Sequence, residues 1–264
     1  MELGTIQLFS GIAIVCGALV IIAFERVSPY NRGQAFFREG FWLDFWWYTL
    51  FQSFLLGLLI SELIYWIDSV SGLSRYEVVS DWPIWGQLLF FLLTHDLYIY
   101  LFHKAQHHSK FLYRFHEAHH SVKDVDWVAG SRSHPIEILI NQTIEFAPMV
   151  LLGAHPAVPV LKGAISGIWG MYIHSNINMN TGIMQYIING PEMHRYHHAI
   201  SDVKAFRKNF ATKFAFWDWI FNTAYLPQHQ KATEYGLGYS SYPKDYWGQI
   251  VHAFRFKKKR RARG

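Results

Sequence analysis

Long apolar runs alternate with short polar connections along this chain, and the runs set its frame. Leu3 to Phe24 holds 22 residues without a charge, Phe41 to Ile67 carries only Asp44 and Glu62 near its ends, and Trp82 to Phe102 follows. Each run reaches the roughly 17–25 residues that cross a bilayer as a helix. Two further apolar segments, Ile136 to Leu152 and Val158 to Ile177, are separated by Gly153-Ala-His-Pro156 and read as a hairpin. Glu137, Asn141 and Glu145 recur every four residues on the first arm, giving it one polar face. Such a face lines a bundle interior or cavity, or packs helix on helix. Phe214-Ala-Phe-Trp-Asp-Trp-Ile-Phe221 suits an element lying in the membrane interface. The pattern predicts an all-α integral membrane protein with four to five membrane-embedded helices, three spans plus the hairpin. A histidine-rich helical region is expected to cap them on the cytoplasmic side. Residues 1–81 are read as N-terminal transmembrane helices, 82–227 as the histidine-bearing region, and 228–264 as a basic tail.

Composition agrees with this picture. The chain is 51% hydrophobic and only 16% charged, whereas soluble domains run at about 25% charged. Its one cysteine, Cys16, excludes an internal disulfide and a cysteine-based zinc site. Met1 and Glu2 lack the basic start of a cleaved signal, so the first span is expected to be retained. Segments 25–40 and 103–135 carry Arg and Lys, while 68–81 has Arg75 against three acidic residues. The positive-inside rule then places the N-terminus outside and the histidines and C-terminus in the cytoplasm, at a bacterial inner membrane or endoplasmic reticulum. Seven of the nine residues from Arg255 to Arg263 are basic. On a membrane protein these anchor to anionic lipid, and a nucleic-acid partner is not expected.

Histidines carry the candidate chemistry. His103 to His120 contains six of the fifteen, and His194-Arg-Tyr-His197-His198 copies the spacing of His116-Glu-Ala-His119-His120. Residues three or four apart lie on one side of a helix, as do His103 and His107. Eight imidazoles exceed the needs of one ion, since structural zinc takes four ligands and catalytic zinc three plus water. Two first-row metals would use the set, and imidazole suits Zn, Cu, Fe and Ni alike. Neutral imidazole also holds a divalent ion near lipid without burying several carboxylates, whose desolvation is costly.

These boxes, His103-Lys-Ala-Gln-His107, His116-Glu-Ala-His119-His120 and His194-Arg-Tyr-His197-His198, resemble the HxxxH, HxxHH and distant HxxHH of the fatty acid hydroxylase and sterol desaturase superfamily. Asp96, Ser121, Arg132-Ser-His134-Pro135-Ile-Glu137, His174-Ser-Asn176 and Phe216-Trp217-Asp218 extend the likeness over residues 95 to 226. The resemblance implies a membrane-bound oxidoreductase with a di-iron centre that hydroxylates or desaturates a lipid with O2. Sterol, fatty-acyl or sphingoid, and ether lipids all fall within its substrate range. Electrons would come from a separate donor of cytochrome or ferredoxin type, or from a reduced pterin. The resemblance also implies His103, His107, His116, His119, His120, His194, His197 and His198 as ligands, with His174 as a ninth, and zinc as a possible occupant in a purified sample. Some members have a histidine where this chain has Asn178, so Asn178 is expected beside the metals, leaving one short of a ligand or holding a water. Breaking an unactivated C–H bond needs an oxidant that side chains do not supply and a metal does.

Several neighbours are expected in supporting roles. Asp96 lies two turns before His103 and is read as orienting a ligand imidazole, as are His134 and Glu137. Arg132 is expected to pair with a carboxylate, and His95 to serve the structure or a cavity. Two rivals exist. His116-Glu117-Ala-His119-His120 contains HExxH, the signature of a zinc protease helix, which leaves the other two boxes without a purpose. A metal transporter would place histidines within its spans or in irregular tracts.

Overall fold

The computed structural model describes residues 2–227 and 230–255, so His229 and most of the basic tail lie outside the described residues. The described residues are helical, with isolated β-bridges joining Pro29 to Ile177 and Ala199 to Tyr235. α1 is Leu3–Val27, α2 Ser53–Ser71, α3 Ile84–His108, α4 Lys110–His120, α5 Pro135–Leu151, α6 Ala157–His174 and α7 Pro191–His198. Two short helices follow, α8 Phe216–Ile220 and α9 Tyr246–His252. Leu3–Val27, Leu43–Ser71 and Ile84–His108 are long and apolar enough to cross a membrane. The all-α integral-membrane architecture expected from the apolar runs is therefore the observed one.

Apolar side chains on the outer faces, such as Leu8, Leu19, Phe54 and Trp66, are exposed, as a lipid solvent allows. α1 lies along α6, where Gly17 lets the backbone meet Ile168. α2 packs on α5 through Leu56, Ile60, Ile64 and Ala147. α3 touches α4, α5 and α6 and so stands at the centre of the bundle.

The second span departs from a plain α-helix. Leu43–Gln52 winds as a π-helix before α2 begins. This looser winding keeps residues four apart in line, and Asp44, Tyr48 and Gln52 form its buried edge. Asp44 accepts from Arg38 at 2.6 Å and Arg132 at 2.5 Å, and Arg38 also reaches Asp126 at 2.8 Å. Tyr48 donates to Gln249, and Gln52 donates to the Ser133 carbonyl. This polar edge ties the span to the loop before α5 and to α9. Trp42, Trp46 and Trp47 occupy the opposite, exposed side, where an aromatic belt belongs.

α3 continues unbroken past the expected end of the third span at Phe102, so His103 and His107 sit on the spanning helix itself. Ser109 then caps α4 by accepting from the Leu112 amide, which turns the chain back beside α3. His134 caps α5 in the same manner, accepting from the Ile136 amide at 3.1 Å, with Pro135 in the first turn.

Candidate metal centre

The last turns of α3 and α6 meet α4 and α7 at one end of the bundle, and their histidines converge. Two groups form: His103, His107, His116, His120 and His197, and beside them His119, His174, His194 and His198. Within each group the ligand atoms lie within 4.8 Å of one another. In the first, Nε2 atoms face each other at 3.0 Å for His103 and His116, and at 3.1 Å for His120 with both His107 and His197. In the second, His174 Nε2 stands 3.2 Å from His119 and 2.8 Å from His194, with His198 3.1 Å from His194. Two nitrogens bonded at right angles to one first-row metal, at about 2.0–2.1 Å each, would be roughly 3 Å apart. The nearest pairs match that edge.

The two HxxHH helices exchange roles. α4 gives its i, i+4 pair, His116 and His120, to the five-membered group and its single His119 to the other. α7 does the reverse, giving the pair His194 and His198 to the four-membered group and His197 to the first. Helical rotation of about 100° per residue explains the division, since i and i+4 differ by about 40° and adjacent residues by about 100°.

The outer ring nitrogens fix the tautomer. His103 Nδ1 donates to the Phe210 carbonyl at 2.8 Å, His119 to Arg132 at 3.1 Å, His174 to Gly170 at 2.7 Å and His197 to Lys208 at 2.9 Å. His116 Nδ1 donates to the Glu137 carboxylate at 2.9 Å. Each bond leaves a bare Nε2 lone pair facing the group, the arrangement metal-bound histidines require. Burial, and then the neighbouring imidazoles, hold His116, His119, His120, His194, His197 and His198 well below the ordinary histidine range. They are neutral at pH 7 and able to donate lone pairs. The donor set fits two metals.

Close approach and a buried cation complete the frame. A Cβ at Gly130 would stand 2.6 Å from His174 Nδ1, so only glycine fits there. Arg195, fully buried inside the third box, donates to the carbonyls of Val125 at 2.8 Å and Ser175 at 3.0 Å. It also lies over the rings of Tyr30 and Tyr235. It thereby locks α7 to the end of α6.

The remaining residues singled out from the sequence take varied places. Glu137 touches a group member directly, as above. Asp96 accepts from Thr212 Oγ1 and the amides of Lys213 and Phe214, so it holds the loop that supplies the Phe210 carbonyl and, among the described residues, bonds no imidazole. His134 donates toward the Ile250 carbonyl and packs on Phe115 and Phe254. Asn178 lies outside both groups, accepting from Lys231. Glu117 faces His252 at 3.7 Å and bonds Tyr239, away from the imidazoles that an HExxH reading would assign it to. Arg132 pairs with Asp44, as expected.

A cavity of about 340 Å³ opens onto both groups. His103, His116, His119, His174 and His194 border one end, and it runs back between α3, α5 and α6 along Ile99, Phe146, Gly163 and Gly167. The polar face of α5, Glu137, Asn141 and Glu145, lines it.

Residues 88–223 match the model of the fatty acid hydroxylase family. The chain belongs to that family. It is 28% identical over 177 residues to ornithine lipid hydroxylase OlsE of Rhizobium tropici, which covers 67% of this chain and 53% of that protein. It is also 28% identical over 142 residues to alkylglycerol monooxygenase of Homo sapiens, covering 54% of this chain and 31% of that one. The chain thus spans about half the length of the first relative and about a third of the second. No solved structure matches.

Proposed function

We propose that this chain is a membrane-embedded oxygenase that hydroxylates a lipid at a pair of iron ions. The observation that carries the reading is the meeting of two neutral imidazole groups at the mouth of one membrane-embedded cavity. His103, His107, His116, His120 and His197 would hold one ion, and His119, His174, His194 and His198 the other. The metals supply the activation of O2 that no side chain offers. The protein's own groups orient the ligands through Glu137 and four backbone carbonyls, and keep hydrocarbon beside them in a water-poor cleft. One oxygen atom enters a C–H bond and the other leaves as water, consuming two electrons and two protons. Electrons would come from a separate donor, and His107 is the one member of its group that is partly exposed. The positive-inside pattern supports a cytoplasmic site, with the basic tail held against anionic lipid.

The test is lipid mass spectrometry of a deletion strain complemented with the wild type or with His119→Ala. A lipid heavier by one oxygen, formed by the wild type alone, is expected. An unchanged lipid profile, or a purified protein without iron affinity, overturns the reading.

A further inference from the structure

The cavity has a second polar end. α3, α5 and α6 each carry a residue at the metal end and a polar one eight positions away: His103 and His95, Glu137 and Glu145, His174 and Ser166. All six line the same cavity. Eight helical residues rise about 12 Å, so the far ends lie at one depth. Fully buried Lys162 joins them, ion-paired to Glu145 and 3.2 Å from His95 Nδ1. Ser166 donates to the same carboxylate oxygen at 2.8 Å.

The hydrogen-bond count at this end does not close. Since the Lys162 ammonium donates to His95 Nδ1, the ring proton resides on Nε2, and that buried N–H, drawn toward the Asn141 backbone, makes no well-directed hydrogen bond. Lys213 lines the cavity with only 8% exposure, and its ammonium has no hydrogen-bond or ion-pair partner among the described residues. It lies close enough to act electrostatically on Glu145 and Lys162. Trp169 adds a buried, unpartnered indole N–H to the wall. All three are donors. The carboxylate acceptor Glu137 is at the metal end, beside the Gln106 amide. Charges are also uneven in their contacts. Glu145 is matched by Lys162, and Asp96 is satisfied by two amides and the Thr212 hydroxyl, while the Lys213 cation touches nothing. Buried donors are paired in folded proteins because leaving them dry is costly. A hydrocarbon cannot pair them, whereas an anionic oxygen can.

We propose that this end of the cavity is a subsite for a carboxylate or comparable anionic oxygen of the lipid substrate. Lys213 supplies the charge and His95 Nε2–H a hydrogen bond. The inference rests on the lipid-oxygenase reading and refines its substrate. The lipid is held at both ends, with its oxidised carbon about 12 Å from its acid group, the distance set by the eight-residue rise.

The test measures binding of radiolabelled hexadecanoate and hexadecanol to the iron-loaded full chain in zwitterionic nanodiscs, with acetate as a competitor. Wild-type protein is expected to favour hexadecanoate by about 10- to 100-fold, the range of a charged hydrogen bond. Lys213→Met and Lys213→Gln are expected to erase that preference with hexadecanol binding unchanged, and Lys213→Arg to retain it. Acetate should fail to displace the long-chain acid. Equal binding of acid and alcohol to the wild type, a preference that survives both neutral variants, or displacement by acetate overturns the proposal. Iron content of the same samples judges the oxygenase reading separately, because the carboxylate preference is read from binding alone.

Discussion

Glu137 Oε1 accepts the Nδ1 proton of His116 at 2.9 Å, and it is the carboxylate bonded to a member of either histidine group among the described residues. Such partners orient the ring and raise its basicity, and losing one typically weakens metal binding by about 10- to 100-fold. Glu137→Ala is expected to weaken metal binding at the five-histidine group by that factor, and Glu137→Gln, which keeps an acceptor oxygen, by less. Metal retention during dialysis against graded chelator measures it. Equal retention in Glu137→Ala and wild type contradicts the assignment.

Gly130 tests the four-histidine group alone. A methyl group there meets His174 Nδ1 at 2.6 Å and the Gly170 carbonyl at 3.0 Å. Gly130→Ala should push His174 off its bond to Gly170 and lower the bound metal from about two ions per chain toward one. Elemental analysis of the purified variant checks this, and two tightly held ions would refute it.

Gly167 tests the cavity. Nothing stands within 4 Å of an added Cβ there, so larger side chains fit the fold while filling the substrate space. Gly167→Leu is expected to cut lipid turnover on the order of a hundredfold, the cost of a misplaced substrate, with metal content and melting temperature unchanged. A variant that turns over lipid normally places the substrate elsewhere.

Arg195 tests the frame. Its guanidinium serves the carbonyls of Val125 and Ser175 with Asn176 Oδ1 and the Tyr235 hydroxyl. Arg195→Met leaves those buried acceptors dry, at a cost of roughly 3 kcal/mol or more. Arg195→Lys should recover little, because an ammonium lacks the planar fork. Denaturation in detergent compares the three proteins.

The metal-free protein should weaken in acid. Six histidines outside the spans sit well below their ordinary value of 6.5 when folded. Below about pH 6.5 the unfolded chain therefore binds protons that the folded chain refuses, and stability falls as pH drops. Melting curves from pH 7.5 to 5 are expected to shift steadily downward, and a flat profile contradicts buried neutral imidazoles.

Much of this was legible in the residues. Apolar runs marked the three long helices and the hairpin, and their order needed no tertiary information. The spacing of His116, His119 and His120 announced a shared helix side, yet the division of that box between two groups was not read from it. The angle separating His119 from His120 contains the answer, but only a partner helix with the reverse division makes it visible. Glu137 stood out as a charge in an apolar arm. The carbonyls of Phe210, Lys208 and Arg132 did not, because every residue carries one and only the fold selects which is used. The π-helical edge of Asp44, Tyr48 and Gln52 was hidden for a similar reason, since its winding follows from buried partners far along the chain.

The reciprocal sharing of ligands by α4 and α7 has a mechanical outcome. With both groups loaded, each helix would grip two ions, so neither helix could slide or roll without disturbing both groups of imidazoles at once. The interval between the two groups is thus pinned by two crossed dowels, whichever metal would fill the seats. If the proposed iron pair is correct, zinc in its place should leave the scaffold's shape and melting behaviour as they are while extinguishing turnover, so a protein poisoned in this way would pass every test of folding.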